Sequence, residues 1–146
     1  MNISVAVKDE YAEIVEVWEA SVRATHDFLS EDDIQFFKPL ILNEYLSAVE
    51  LRCIKNDAGN ILGFIGVAKG KIEMLFVHPD WRGQGIGKLL LNYAVNDVGA
   101  TKVDVNEQNP LAVGFYEHLG FKVTGRSLVD GMGKPFPLLH MQLSNF

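Results

Sequence analysis

The sequence has one cysteine, five prolines in 146 residues and no apolar run as long as a membrane helix. Because Cys53 has no second thiol to pair with, an internal disulfide and a cysteine-rich zinc site are excluded. The longest apolar stretches span a few residues, far below the ~20 that a transmembrane helix needs. The first residues also lack a charged segment followed by a long apolar one. We therefore expect a reducing, cytoplasmic location, no membrane partner and no targeting segment.

Basic charge is scarce as well. Lysine and arginine number 13 against 19 aspartates and glutamates, which gives a net charge of −6. A general binder of nucleic acid needs a basic surface, so we expect no nucleic-acid partner, and any anionic ligand must be held by local groups. The four histidines, His26, His78, His118 and His140, have no metal-ligand spacing, so no metal is expected.

The remaining composition is that of an ordinary globular protein. Apolar residues make up 48% and charged residues 22% of the chain, near the averages for such proteins. No repeat or flexible linker divides the sequence. We expect a single domain over residues 1–146 and leave its oligomeric state open.

The first third of the chain carries one strand pattern and two helix patterns. Alternation predicts a strand over Ile3–Lys8. Apolar residues spaced for one helical face predict a helix over Tyr11–Val22. Ser30, with Asp33 three residues later, has the pattern of a capping box that starts a second helix, and Pro39 is expected to interrupt or kink it.

The rest of the chain alternates between strand and helix patterns. A third helix is expected to open at the glycines after Pro79. The predicted strands are 51–55, 61–68, 71–77, 101–106, 121–129 and 136–143, with a short fourth helix over 110–119. The order β-α-α-β-β-β-α-β-α-β-β predicts a mixed α+β fold, in which helices flank a mixed central sheet.

A glycine-rich segment joins the predicted strand over 71–77 to the next helix. Residues 78–88 contain Gly83, Gly85 and Gly87. Alternating glycines let the backbone approach a ligand closely, and the unpaired N–H groups of a helix start bind phosphate without net positive charge. The spacing matches neither the dinucleotide fingerprint nor the P-loop.

Two segments in this region resemble a known family. Residues 75–90 resemble the acetyl-CoA-binding signature of the GNAT superfamily of N-acetyltransferases, and residues 106–121 look like the second motif of that family. The resemblance implies a GNAT-like fold and an acyltransferase that moves the acetyl group of acetyl-CoA directly to a primary amine of a small molecule or peptide.

The resemblance also implies a set of cofactor contacts, from the backbone of the glycine turn, from the strand before it and from the second motif. These residues are Leu75, Phe76, Val77, Arg82, Gly83, Gln84, Gly85, Ile86, Gly87, Lys88, Asn106, Asn109 and Phe115. Asn109 precedes Pro110, so it is equally well placed as a helix N-cap.

Tyr116 is the residue to which the resemblance assigns chemistry, as a general acid or hydrogen-bond donor to the departing CoA thiolate. A phenol near pKa 10 is a weaker acid than a thiol near 8.5, so full proton donation is uphill by roughly 2 kcal/mol. Tyr116 therefore either hydrogen-bonds the thiolate or has a lowered pKa. The alternative is an aromatic packing residue.

The acceptor amine must lose a proton before it can attack, because only about one alkylamine in a thousand is neutral at pH 7. Strand alternation places Glu73 on the face of Leu75 and Val77, which makes it a candidate base. The alternative is a solvent-facing strand glutamate. His26 is a candidate for substrate binding or proton relay, or else an ordinary loop histidine.

Two alternatives to acetyl transfer stay open. One is a non-catalytic acyl-CoA-binding sensor or interaction domain with the same fold, and the other is transfer of a different acyl group. No motif in the sequence identifies the acceptor amine, although the acidic balance favours a cationic one.

Overall fold

A computed structural model of the chain describes residues 2–143. The strands are β1 (Asn2–Val5), β2 (Glu50–Lys55), β3 (Ile61–Ala68), β4 (Lys71–Val77), β5 (Lys102–Asn106), β6 (Phe121–Ser127) and β7 (Leu138–Leu143). The helices are α1 (Tyr11–Thr25), α2 (Glu31–Leu40), α3 (Ile86–Tyr93) and α4 (Pro110–His118). This is the mixed α+β order that the sequence predicts.

The described residues group into two compact units, the first ending at Ala100 and the second beginning at Thr101. In the first unit β1, β2, β3 and β4 pair in that order, and every pair is antiparallel. The β3 strand is buried along almost its whole length, which explains its continuous apolar sequence. A strand covered on both faces has no polar face to alternate with.

Helices cover both faces of this first sheet. Phe64 and Met74 belong to the buried cluster that α1 supplies with Ile14 and Trp18. On the opposite face Gly63 lies under α3, where an added Cβ would meet the Ile86 and Leu90 side chains at 3.2 and 3.3 Å. The absence of a side chain at position 63 therefore sets how closely α3 approaches the sheet.

In the second unit β7 lies between β5 and β6 and is antiparallel to both. The α4 helix packs on one face of these strands, where the rings of Tyr116 and Phe121 meet edge to face with centroids 5.6 Å apart. Met141 and Leu143 are buried on this same face. Alternation along β7 sends His140 to the other face.

The capping box predicted at Ser30 is confirmed. The Ser30 hydroxyl accepts the Asp33 N–H at 3.1 Å, and the Asp33 carboxylate accepts the Ser30 N–H at 3.0 Å. At Pro39 the expected interruption is mild: α-helical geometry ends one residue later, and the chain continues as a π-helical turn over Ile41–Tyr45.

Candidate active site

The glycine turn begins where β4 ends. A 3₁₀ turn over Pro79–Trp81 follows Val77, and His78 caps it, since its Nδ1 accepts the Asp80 N–H at 3.1 Å. Gly85 is the N-cap of α3 with φ +76°, and Gly83 has φ +77°. Both conformations lie in the left-handed region that L side chains rarely adopt, so the turn requires glycine at these two positions.

The amides of this turn have no acceptor of their own. The first bond of α3 runs from the Leu89 N–H to the Gly85 carbonyl at 3.0 Å. Within residues 2–143, no carbonyl or side chain accepts a hydrogen bond from the N–H groups of residues 83–88. A run of free amides at a helix start, where the helix dipole is positive, is a binding site for phosphate.

The space in front of these amides is open. A Cβ built on Gly83 or Gly85 would meet no atom within 4 Å. Arg82 and Lys88 are exposed on either side of the turn, and neither forms an ion pair with another described residue. The turn therefore fits the diphosphate of a CoA thioester, which needs backbone donors, nearby positive charge and room.

The register of β4 decides which of its backbone groups are used within the first sheet. His78 donates its N–H to the Leu62 carbonyl at 2.8 Å, and Phe76 stands opposite Phe64. Hydrogen-bonded pairs alternate along an antiparallel ladder, so the backbone groups of Phe76 face β3 whereas those of Leu75 and Val77 point to the other edge of β4. Leu75 and Val77 can therefore make the expected main-chain contacts with a ligand, whereas Phe76 can contact a ligand through its ring.

Glu73 lies at an irregularity in β4. Val67 pairs with Ile72 and Gly66 with Met74, so Glu73 is an extra residue in the ladder. A bulge of this kind interrupts alternation, which removes the argument that placed Glu73 on the face of Leu75 and Val77. Glu73 is exposed, and its role as a base stays a prediction.

His26 lies at the end of α1 among aromatic rings. Its ring is 5.2 Å from that of Phe28 and 6.2 Å from that of Phe76, measured between centroids. Thr25 donates its hydroxyl to the Ser21 carbonyl at 2.8 Å, and its Oγ1 lies 2.7 Å from His26 Nδ1. Since the Thr25 proton is engaged, Nδ1 carries the imidazole proton.

Burial, reinforced by the positive charge of Arg82, lowers the pKa of His26 to about 4. The imidazole is therefore neutral near pH 7. A group with so low a pKa is a poor proton acceptor for an ammonium, but a neutral ring nitrogen can accept a hydrogen bond from one. His26, Phe76 and Arg82 are thus brought together in the first unit, which the sequence alone did not show.

In the second unit, α4 carries Phe115 and Tyr116, whose rings meet edge to face at 5.2 Å. Tyr116 is buried, and burial raises its pKa well above the ordinary value. The alternative of a lowered pKa is therefore wrong. The Tyr116 hydroxyl bonds to no residue within 2–143, and no buried polar side-chain atom there lacks a partner. The hydroxyl oxygen must therefore reach accessible space.

Both asparagines of the second motif hold backbone turns. The Asn109 side chain accepts the Ala112 N–H at 3.3 Å, with Pro110 at the first helical position. This confirms Asn109 as the N-cap of α4. The Asn106 side chain accepts the Gln108 N–H at 2.9 Å. Direct contact of either with a cofactor stays a prediction.

Cys53 has the surroundings of a structural residue. Cys53 is fully buried, and burial raises its thiol pKa, as expected of a core thiol. Among residues 2–143 no group of three His, Cys, Asp or Glu side chains could hold a metal ion. None of the helices in the same range combines the length and hydropathy required to cross a membrane.

The second unit also contains a side-chain arrangement that the sequence did not predict. Asp104, Ser127 and His140 form a hydrogen-bonded chain across three strands. The three residues are 13 to 36 positions apart in sequence, and only the pairing register of β5, β7 and β6 brings them together. No local motif could have indicated it.

Comparisons with known proteins agree with this geometry. A sequence profile described as "Acetyltransferase (GNAT) domain" matches residues 25–144. A protein of Salmonella typhimurium named "Peptidyl-lysine N-acetyltransferase YjaB" is 41% identical over 141 residues, which cover 97% of each chain.

Solved structures show the same fold. The solution structure of apo-form YjaB from Escherichia coli superposes with a TM-score of 0.85 at 39% identity, and 100% of each chain is covered. A crystal structure of the PaiA N-acetyltransferase of Thermoplasma acidophilum in complex with coenzyme A has a TM-score of 0.72 at 23% identity over 99% of this chain and all of that one.

The family match spans most of the chain, from residue 25 to residue 144. This chain belongs to the GNAT superfamily: it is an N-acetyltransferase that uses acetyl-CoA as the acetyl donor for an amine acceptor.

Proposed function

We propose that this enzyme acetylates the ε-amino groups of lysine residues in proteins. The observation that carries the proposal is 41% identity, over 97% of both chains, to a relative named as a peptidyl-lysine N-acetyltransferase. The net charge of −6 agrees with it, since an acidic protein attracts cationic lysine side chains.

The diphosphate of the donor is assigned to the backbone amides of residues 83–88, with Arg82 and Lys88 adding charge. Six free N–H groups and an open space over two glycines support this assignment. The Val77 N–H and the Leu75 carbonyl, which point away from β3, are assigned to the pantetheine arm. When bound, the donor supplies an acetyl thioester, which is open to attack by a neutral amine.

Tyr116 is assigned to the sulfur that leaves. Its raised pKa makes it a weaker acid than an ordinary phenol, so we assign it the role of hydrogen-bond donor to the thiolate rather than full proton donor. A hydroxyl that is accessible while its ring is buried, with no bond to another described residue, is available for that contact.

The acceptor assignment can be tested with matched peptides. The purified enzyme and acetyl-CoA are incubated with an Nα-acetylated peptide that contains one lysine, with the same peptide carrying arginine instead, and with the lysine peptide bearing a free N-terminus. Mass spectrometry should place a single acetyl group on the lysine side chain and none on the arginine control. Acetylation of the N-terminus alone, or of spermidine in preference to every lysine peptide, would contradict the proposal.

We also infer that residues 1–146 form one acetyltransferase domain and that it acts in the cytoplasm. The family match runs from residue 25 to residue 144 and so crosses both compact units. The single buried thiol agrees with a reducing compartment.

A further inference from the structure

The end of α1 and the end of β4 meet at a cluster of three rings, His26, Phe28 and Phe76, which we call the His26 cluster. The His26 ring is 5.2 Å from the Phe28 ring and 6.2 Å from the Phe76 ring, measured between centroids. The His26 N–H donates to the Val22 carbonyl at 2.7 Å, which fixes the ring at the end of α1. All three rings are partly exposed, so a ligand can contact the cluster.

Arg82 lies near this cluster. It follows the 3₁₀ turn over Pro79–Trp81, and its N–H donates to the Pro79 carbonyl at 3.4 Å. The α1 helix lies beside both β4 and this turn. Burial is the main cause of the low pKa of His26, and the positive charge of Arg82 lowers that pKa further. The guanidinium is therefore within electrostatic reach of the cluster.

Other charges near the cluster do not cancel that of Arg82. Asp27 acts on the imidazole in the opposite direction, with a smaller effect than Arg82. Arg23, one helical turn before the imidazole, is held by Glu19 and Glu31 through hydrogen bonds of 2.8 to 2.9 Å. The free amides that follow Arg82 add the positive end of the α3 dipole. A cation that approaches the cluster is therefore repelled.

Both substrates bring charge to this part of the first unit. The diphosphate of the donor, which is negative on each of its two phosphates, is assigned to the amides that follow Arg82. The arm of the donor is assigned to backbone groups on either side of Phe76. The amine that attacks the thioester must therefore come to the same end of β4, and a lysine side chain arrives there as an ammonium.

We propose that Arg82 couples the binding of the two substrates through its charge. Before the donor binds, Arg82 repels a cationic acceptor from the His26 cluster, and once Arg82 is paired with the diphosphate this repulsion is lost. Bound donor therefore raises the affinity for the acceptor, and by linkage the acceptor raises the affinity for the donor by the same factor. This inference rests on the proposed function, because it requires an acceptor that binds as a cation.

The coupling should be modest and sensitive to salt. Arg82 is exposed, so water and ions screen its charge. Coupling between two binding sites starts at about fivefold, and an exposed charge belongs at that lower end. We expect about fivefold at low salt and less than about twofold in 1 M salt, where the Debye length is about 3 Å.

The test measures binding without reaction. An Nα-acetylated peptide with one lysine is titrated into the enzyme alone and into the enzyme saturated with CoA, which has no acetyl group to transfer. At low salt the affinity for this peptide should be about fivefold higher with CoA. A matched peptide carries norleucine, an uncharged side chain of similar length, instead of lysine. Its affinity should change less than about twofold, because the guanidinium does not repel a neutral side chain.

Three variants assign the coupling to one charge. Without CoA, Arg82→Gln should bind the lysine peptide more tightly than the wild type does, and saturating CoA should then add less than about twofold. Arg82→Lys keeps the charge and should keep the coupling. Lys88→Gln removes the other exposed cation of the turn, whereas the charged groups that act on His26 are Arg82 and Asp27. Lys88→Gln should therefore weaken CoA binding but keep the coupling once CoA is saturating.

The His26 imidazole provides a second readout, because a proton on that ring is also a cation at the cluster. Saturating CoA should raise the midpoint pH of the His26 ring resonances, followed by NMR, by about 0.7, which corresponds to a fivefold change in proton affinity. Arg82→Gln should move the midpoint in the same direction without CoA. A midpoint that CoA leaves unchanged would contradict the proposal.

Two binding results would also overturn it. Full coupling in Arg82→Gln would mean that the donor prepares the acceptor site by contact and not by charge. An equal gain in affinity for the norleucine peptide would lead to the same conclusion, since that side chain carries no charge.

The lysine assignment and the coupling fail separately. If spermidine binds in preference to every lysine peptide, and its affinity still rises with CoA through Arg82, the coupling stands and the lysine assignment is lost. If lysine peptides are acetylated but bind equally well with and without CoA, the assignment stands and the coupling is lost. Failure of every amine to bind would overturn both.

Discussion

At the scale of single residues, the ring and the hydroxyl of Tyr116 can be tested separately. Its ring packs against Phe115 and Phe121, while its hydroxyl bonds to no residue within 2–143. Removing the hydroxyl therefore leaves the packing in place and orphans no buried group.

We expect Tyr116→Phe to reduce kcat about 100-fold, the cost of losing one donor to a developing anion. The dissociation constant for acetyl-CoA should change less than threefold, and the melting temperature should not fall. CoA-thiol release and a binding titration measure the two effects. An unchanged turnover, or a loss of affinity as large as the loss of rate, would instead favour a non-catalytic acyl-CoA sensor.

At the scale of elements, the glycine turn is proposed to bind the diphosphate mainly through its backbone amides. Gly85 has φ +76° and opens onto empty space, and Gly59, in the β2–β3 hairpin, has φ +85° and is equally open. An alanine at either position suffers the same strain, on the order of 1–2 kcal/mol. The difference between them is that Gly85 belongs to the run of free amides at residues 83–88, whereas Gly59 lies in a separate hairpin.

Gly85→Ala should therefore lower the affinity for acetyl-CoA at least tenfold, whereas Gly59→Ala should leave that affinity within twofold. Both variants should lose a similar amount of unfolding free energy, because the backbone strain is the same. Urea unfolding and a binding titration on both variants check this. Equal affinities in the two variants would show that the amides of residues 83–88 do not hold the diphosphate.

At the scale of the whole molecule, acid should destabilise the enzyme in two stages. The pKa of His26 is lowered to about 4, so below about pH 6.5 the unfolded chain takes up a proton that the folded chain does not. Stability present above pH 6.5 is thus lost as the pH falls toward 4. Ion pairs lower the pKa of Glu10, Glu19 and Glu107, whose stabilisation is lost only below about pH 4.5.

The His26 stage can be isolated with His26→Asn. Between pH 7 and pH 5 we expect the wild type to lose about 1–2 kcal/mol more unfolding free energy than the variant, after allowance for partial exposure of the ring. Urea unfolding at pH 7, 6 and 5 gives both slopes. Parallel slopes would mean that the imidazole is protonated equally in the folded and unfolded chains.

Local patterns in the sequence determined the element order, the capping box at Ser30, the N-cap at Asn109 and the glycine turn at the start of α3. Each depends on residues within a few positions of one another, where backbone geometry and hydrogen-bonding capacity leave few alternatives. The family resemblance rests on two such local segments and is confirmed by comparison across the chain.

Tertiary structure alone decided what depends on strand register and burial. The bulge at Glu73 interrupts the alternation that the sequence predicted for β4, and the cluster around His26 exists only because α1 ends beside β4. The chain of Asp104, His140 and Ser127 depends on three strands pairing in one register. Contacts between residues far apart in sequence follow from packing and long-range pairing, which no short segment encodes.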